Sequence, residues 1–187
     1  VETFEVGTAP PGFINFRLTN SWIKAQVQTI LDTGATYANL DLGQGERIQV
    51  EFVSGNPTGP LHVGHARGAV LGSTLANILS AAGYAVQKEY YINDTGTQID
   101  IFNRSLYARY QQALGREAIM PENGYQGQYL VEHAKRLYER HGAGLAGRST
   151  EWFCQEGMTV QRAVIAEDLA KFGLVFDRWS SQTWLRT

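Results

Sequence analysis

The sequence is poor in the residues that would announce redox, metal or membrane chemistry. It has one cysteine, Cys154, which excludes an intramolecular disulfide and a cysteine-rich zinc site and points to a reducing, cytoplasmic setting. Its four histidines do not follow zinc spacing. No Cys or third His lies near His62 and His65, and Glu132-His133 lacks the helix-spaced second histidine of a metalloprotease, so no protein-bound metal is expected. Basic charge is not in excess either. A formal net charge of −2 and a pI near 6.1 leave no basic footprint to advertise a nucleic-acid partner. Neither a signal peptide nor an apolar run long enough to span a bilayer is visible in these 187 residues, nor an internal repeat or low-complexity tract.

What is present is an ordinary globular composition, 43% hydrophobic over 187 residues, enough to bury a core in one domain or in one domain plus a piece of another. The chain starts at Val1 and stops at Thr187 just after a Trp-containing segment, so it is expected to be a fragment of a longer protein. Glu2 to Val6 and Phe13 to Leu18 read as short strands around a turn at Pro10-Pro11-Gly12. Thr19, Asn20 or Ser21 can cap a helix through Trp22, Ile23, Val27, Ile30 and Leu31 to Gly34. The polar stretch from Thr33 to Gly45 reads as a linker, placing a domain boundary near residue 44.

The stretch Val50 to His65 organises the rest. Arg47 to Val53, rich in β-branched and aromatic residues, predicts a buried strand. The Gly/Pro-rich turn Ser54 to Pro60 then leads into a helix whose apolar positions Ala66, Ala69, Val70, Ile78, Leu79 and Ala82 recur at helical spacing, with Gly83 as its stop. Tyr84 to Ile92 predicts a second strand, broken by Asn93-Asp94-Thr95-Gly96. Strand, helix and strand in this order make a right-handed parallel crossover. In such sheets ligands bind beyond the carboxyl ends of the strands, where both polar turns fall. Helices over Gln98 to Tyr110, Tyr129 to Arg140 and Thr150 to Phe172 form a mainly helical insertion at about 98–173, and Leu174 to Trp179 returns as a third strand.

His62 and His65 fall in the first turn of the helix, where free backbone N–H groups and the helix dipole favour an anion and imidazoles add donors. H-x-G-H would arise by chance in roughly one such composition in a hundred. Gly64 leaves room for a purine and ribose, and donors fixed around an α-phosphorus stabilise the transition state more than the ground state. The competing account is a pair of helix-capping histidines. Glu51 is either a ligand for an ammonium or a solvated partner of Arg47. Asp94 is equally an Asx-turn residue or a substrate contact, and Arg67 either bridges locally or helps to hold phosphate.

The segment Glu51-Phe52-Val53-Ser54-Gly55-Asn56-Pro57-Thr58-Gly59-Pro60-Leu61-His62-Val63-Gly64-His65-Ala66-Arg67-Gly68 closely resembles the HIGH-motif region of arginyl-tRNA synthetase, a class I aminoacyl-tRNA synthetase. Pro11 to Leu18 resembles the end of that family's N-terminal tRNA-contacting domain, Tyr90 to Gly96 its segment after the second strand, and Phe172 to Trp179 the strand ahead of its arginine pocket, so the likeness covers essentially the whole chain. It implies an α/β architecture: residues 1–44 as the end of a small α+β N-terminal domain with a linker helix, and 45–187 as the first half of a Rossmann-like class I catalytic domain.

The resemblance implies a ligase that activates L-arginine with ATP to arginyl-adenylate and transfers it to tRNA(Arg), with Mg²⁺ carried by the phosphates. It assigns Gly59, His62, Gly64 and His65 to ATP, with both histidines catalytic, and Glu51, Ser54 and Asn56 to arginine. Two departures stand out. Where the family has Ser-Glu, this chain has Ser181-Gln182, whose neutral amide cannot pair bidentately with guanidinium as a carboxylate does. The KMSKS loop and anticodon domain are also missing, so the fragment by itself is expected to be inactive or very weak. The alternatives are a synthetase-like paralogue that binds nucleotide or a partner without aminoacylating, and a small H-x-G-H nucleotidyltransferase.

Overall fold

The computed structural model describes residues 4–186. Two strands, β1 (Phe4–Ala9) and β2 (Phe13–Leu18), form an antiparallel hairpin in the register Phe4↔Leu18 to Ala9↔Phe13. The turn is the Pro10-Pro11-Gly12 segment expected, closed by Gly12 N–H donating to Ala9 O at 3.0 Å. β1 runs further than expected, to Ala9; Glu2 and Thr3 lie outside the described residues. Helix α1 (Asn20–Thr33) is capped by Thr19, whose hydroxyl accepts from Trp22 N–H at 3.2 Å, and ends at Gly34 with φ +62°. None of its residues is buried.

The polar stretch that follows is tied down more than a linker would be. Backbone N–H groups of Leu40, Gly43 and Gly45 donate to the carbonyls of Ala81, Ala82 and Gly83 at 2.7 to 2.9 Å. These are orphan carbonyls at the end of the next long helix, which need outside partners.

The main sheet is fully parallel in the order β3 (Arg47–Glu51), β4 (Ala85–Ile92), β5 (Arg178–Ser181), with Arg47↔Ala85 and Glu89↔Arg178 in register. Between β3 and β4 runs α2 (Val63–Ala81). Its buried residues are Ala69, Gly72 and Ala76, whereas Val70 and Ile78, expected on the apolar stripe, are exposed. Small residues face the sheet because the helix approaches closely: a Cβ on Gly72 would stand 2.1 Å from the Phe52 ring. One core fills the space between the sheet, α2 and α5 with Phe52, Tyr90, Ile92, Ile165, Leu169 and Phe176.

The insertion consists of α3 (Thr97–Ala113), α4 (Gln128–His141) and α5 (Thr150–Lys171). It has a core of its own, with Phe102, Leu106, Tyr110, Leu130 and Phe153 completely buried. Each such side chain contributes about 1.5–3 kcal/mol of transfer free energy. The third strand is displaced from its expected position. Leu174 and Phe176 are anchored in the sheet core as an extended connector, and pairing begins only at Arg178. A short helix, α6 (Gln182–Leu185), follows. Among the described residues no helix is long and apolar enough to cross a membrane.

Candidate active site

Strand β3 ends in an unusual backbone. Val53 and Ser54 both take positive φ, +66° and +44°. A β-branched residue there costs on the order of 1–3 kcal/mol, so the surrounding structure must impose it. The restraints come mainly from β4. Tyr91 N–H donates to Ser54 Oγ at 3.1 Å, and the Tyr90 hydroxyl donates to Gly55 O at 2.8 Å. Burial pushes the Tyr90 phenol up to about 12, keeping it a donor. Ser54 Oγ donates in turn to Glu51 Oε1.

These bonds aim the loop that carries the expected arginine residues. Glu51 is exposed at the strand end, in register with Glu89 of β4. No ion pair joins Glu51 to Arg47 among the described residues. Asn56 donates from Nδ2 to Gln98 Oε1 at the start of α3. Further along, Thr58 O accepts from the Tyr129 hydroxyl at 2.5 Å, and a Cβ on Gly59 would lie 3.2 Å from that same oxygen.

The loop then enters α2 through the two histidines. His62 is the N-cap: Gly64 N–H donates to its Nδ1 at 3.1 Å. His65 reaches back, its Nδ1 accepting from His62 N–H at 3.2 Å, and the rings lie 3.9 Å apart with a 33° tilt. Both histidines therefore act as caps of α2. Partial burial, and then His62, hold the His65 imidazole below its usual range. The space above Gly64 is filled from within: a Cβ there would lie 2.9 Å from the His62 ring.

Asp94 is taken up by structure. Ser181 Oγ, Thr183 N–H and Thr183 Oγ1 all donate to its carboxylate, the last two at 3.0 Å. Burial opposes its ionisation, but these bonds outweigh that and hold it below the usual carboxylate range. Gln182 is the half-buried first residue of α6, with no hydrogen bond to Glu51, Ser54 or Asn56. Beyond the strand ends, Pro57, Ile92, Asp94 and Ser181 share a cavity of about 370 Å³ with Arg162 of α5. Arg162 lies 5.4 Å over the Trp179 ring, which stacks on Tyr90 at 4.3 Å. The sequence reading missed Arg162, Tyr90 and Tyr129 as site-forming residues. Arg162 is exposed between the stripe positions Val160 and Val164, and neither tyrosine lies in the loop segment, so only the fold brings them to the loop. Among the described residues no three His, Cys, Asp or Glu side chains come together to hold a metal.

Comparison with known proteins adds the following. Residues 26–153 match the family of tRNA synthetases class I (R), catalytic domain. Over 182 residues the chain is 49% identical to an arginine–tRNA ligase of Dehalococcoides mccartyi, a match covering 95% of this chain and 33% of that protein. An arginine–tRNA ligase 1 of Halalkalibacterium halodurans is 47% identical over all of this chain and 34% of its own length. The chain thus spans about a third of the length of the curated relatives it matches. A crystal structure described as an arginyl-tRNA synthetase from Campylobacter jejuni superposes with a TM-score of 0.80 at 29% identity, covering 89% of this chain and 37% of that one. One from Plasmodium falciparum, at 17% identity and a TM-score of 0.56 over 97% of this chain and 34% of that one, shares the fold.

Proposed function

This chain belongs to the family of class I (R) tRNA synthetase catalytic domains, and from that premise we propose that it carries one half of the adenylating site of an arginine–tRNA ligase. The parent enzyme activates L-arginine with ATP and passes the arginyl group to tRNA(Arg) in the cytoplasm. Residues 1–44 belong to its N-terminal tRNA-contacting domain and 45–187 to the first half of its catalytic domain. The observation that carries this reading is the two-histidine cap of α2, set at the carboxyl end of β3 next to the loop of Glu51, Ser54 and Asn56.

In this assignment the arginine carboxylate attacks the α-phosphorus of ATP, the bond to pyrophosphate breaks, and charge accumulates on the non-bridging oxygens. His62 and His65, at the positive end of the α2 dipole, donate to those oxygens. Gly59 lies on the nucleotide side of the loop, and Gly64, lacking a Cβ, makes room for the His62 imidazole to sit over the helix start. Glu51 faces the arginine ammonium and Asn56 orients its carboxylate. Mg²⁺ belongs to the substrate, neutralising the triphosphate; the described residues supply no cluster that would hold the ion by themselves. Gln182 offers the guanidinium a neutral acceptor in place of a charged one.

The experiment is arginine-dependent ATP–pyrophosphate exchange by the full-length parent in the presence of tRNA(Arg). Exchange that requires arginine and falls at least 100-fold with His65→Ala supports the assignment. Its absence with every amino acid would point instead to a paralogue that binds without aminoacylating.

A further inference from the structure

A helix N-cap is ordinarily Ser, Thr, Asp or Asn, and a capping box adds Glu or Gln three residues on. Here both places are filled by imidazoles, and both use the same atom. Gly64 N–H donates to Nδ1 of His62 at 3.1 Å, and His62 N–H donates to Nδ1 of His65 at 3.2 Å. An imidazole nitrogen accepts a hydrogen bond only when it carries a lone pair; in a neutral ring the proton must then sit on the other nitrogen, and an imidazolium has no acceptor at all. We propose that His62 and His65 lock one another as neutral Nε2–H tautomers, so that capping α2 and presenting two imidazole donors are a single device.

The surroundings support this assignment. Neither Nε2 is hydrogen-bonded to any described protein atom, so both donors are free for a ligand. Space for the His65 donor is cleared by Gly55, where a Cβ would lie 2.9 Å from Nε2, and Gly55 is pinned through its carbonyl by Tyr90. Protonating either ring would break one cap and set a positive charge against a ring 3.9 Å away. The facing ionisable groups are few. Tyr90 approaches from β4. Asp168 of α5 shares a cavity of about 280 Å³ with His62, and its carboxylate lies 3.8 Å from the Lys171 ammonium. Partial burial and the neighbouring ring also favour the neutral form of His65. Phosphate oxygens are thus met by neutral donors with fixed directions, a consequence that rests on the nucleotide reading above.

The test is histidine-selective ¹⁵N NMR of the protein at neutral pH, with His62 and His65 assigned by substitution. Both rings should show the static Nε2–H pattern; finding either as the Nδ1–H tautomer, as imidazolium, or in exchange between tautomers overturns the proposal. His62→Asn keeps an N-cap acceptor and removes the ring donor. Amide protection along the first turns of α2 should therefore persist, while ATP affinity falls by about tenfold. Loss of protection in that variant, with His62→Ala no worse, would also count against the lock. If the rings are locked but ATP shifts neither imidazole, the device stands and the nucleotide reading falls.

Discussion

Gln182 is where the residue scale has most to say about substrate choice. An amide accepts one neutral hydrogen bond where a carboxylate would grip guanidinium with two charge-assisted ones. Gln182→Glu in the parent enzyme is expected to lower the KM for arginine by about tenfold with little change in kcat, read from pyrophosphate exchange. His133 governs a different property. It is 3% exposed on α4 and neither ring nitrogen has a hydrogen-bond partner. Burial, and then Arg136 and Arg140, lower its pKa to about 4. Once unfolded it titrates near 6.5, so between pH 6.5 and 4 the unfolded chain binds a proton that the folded chain refuses. Stability is therefore intact above that window and falls by roughly 3 kcal/mol as pH drops through it. His133→Phe should flatten that slope and leave the neutral-pH urea midpoint equal or higher, because no unpaired nitrogens remain buried. The helix start at His62 and His65 was legible in the sequence from their spacing and helix context. The fate of Asp94 was not, since its partners Ser181 and Thr183 lie 87 and 89 residues further along the chain.

At the scale of elements, helix and strand periodicities located nearly every segment, and the errors share one cause. Apolar spacing singles out large side chains, but α2 packs through Ala69, Gly72 and Ala76 because close approach to Phe52 demands small ones. The strand expected over Leu174 to Trp179 failed similarly: its apolar residues serve the core as a connector, and the ladder itself begins at Arg178. Nothing in the local pattern distinguishes an extended core segment from a paired one. Gly72→Ala tests the close approach. The added methyl would lie 2.1 Å from the Phe52 ring, so despite better helix propensity the variant should lose about 1–3 kcal/mol in chemical denaturation. Ala66→Gly, at an exposed position on the same helix, should cost only about 1 kcal/mol.

At the scale of the molecule, α5 is the member shared by both cores: Phe153 belongs to the insertion's and Ile165 and Leu169 to the sheet's. The two are expected to melt together while that helix is intact. Ala163→Pro, at an exposed site between them, removes a helix bond and costs about 3 kcal/mol locally. It should split a single calorimetric transition into two, the insertion and the sheet unfolding separately. A two-layer parallel architecture was legible from strand–helix–strand order; that one helix would serve two cores was not, since its stripe reads as continuous. A rod of 22 residues is about 33 Å long, and at its far end Asp168, Leu169 and Phe172 share a cavity with Leu61 and His62. Tilting it by about 5° at the insertion would carry the other end through about 3 Å, the width of a hydrogen bond. The fold thus contains a lever with its handle in the helical insertion and its tip beside the turn that carries His62.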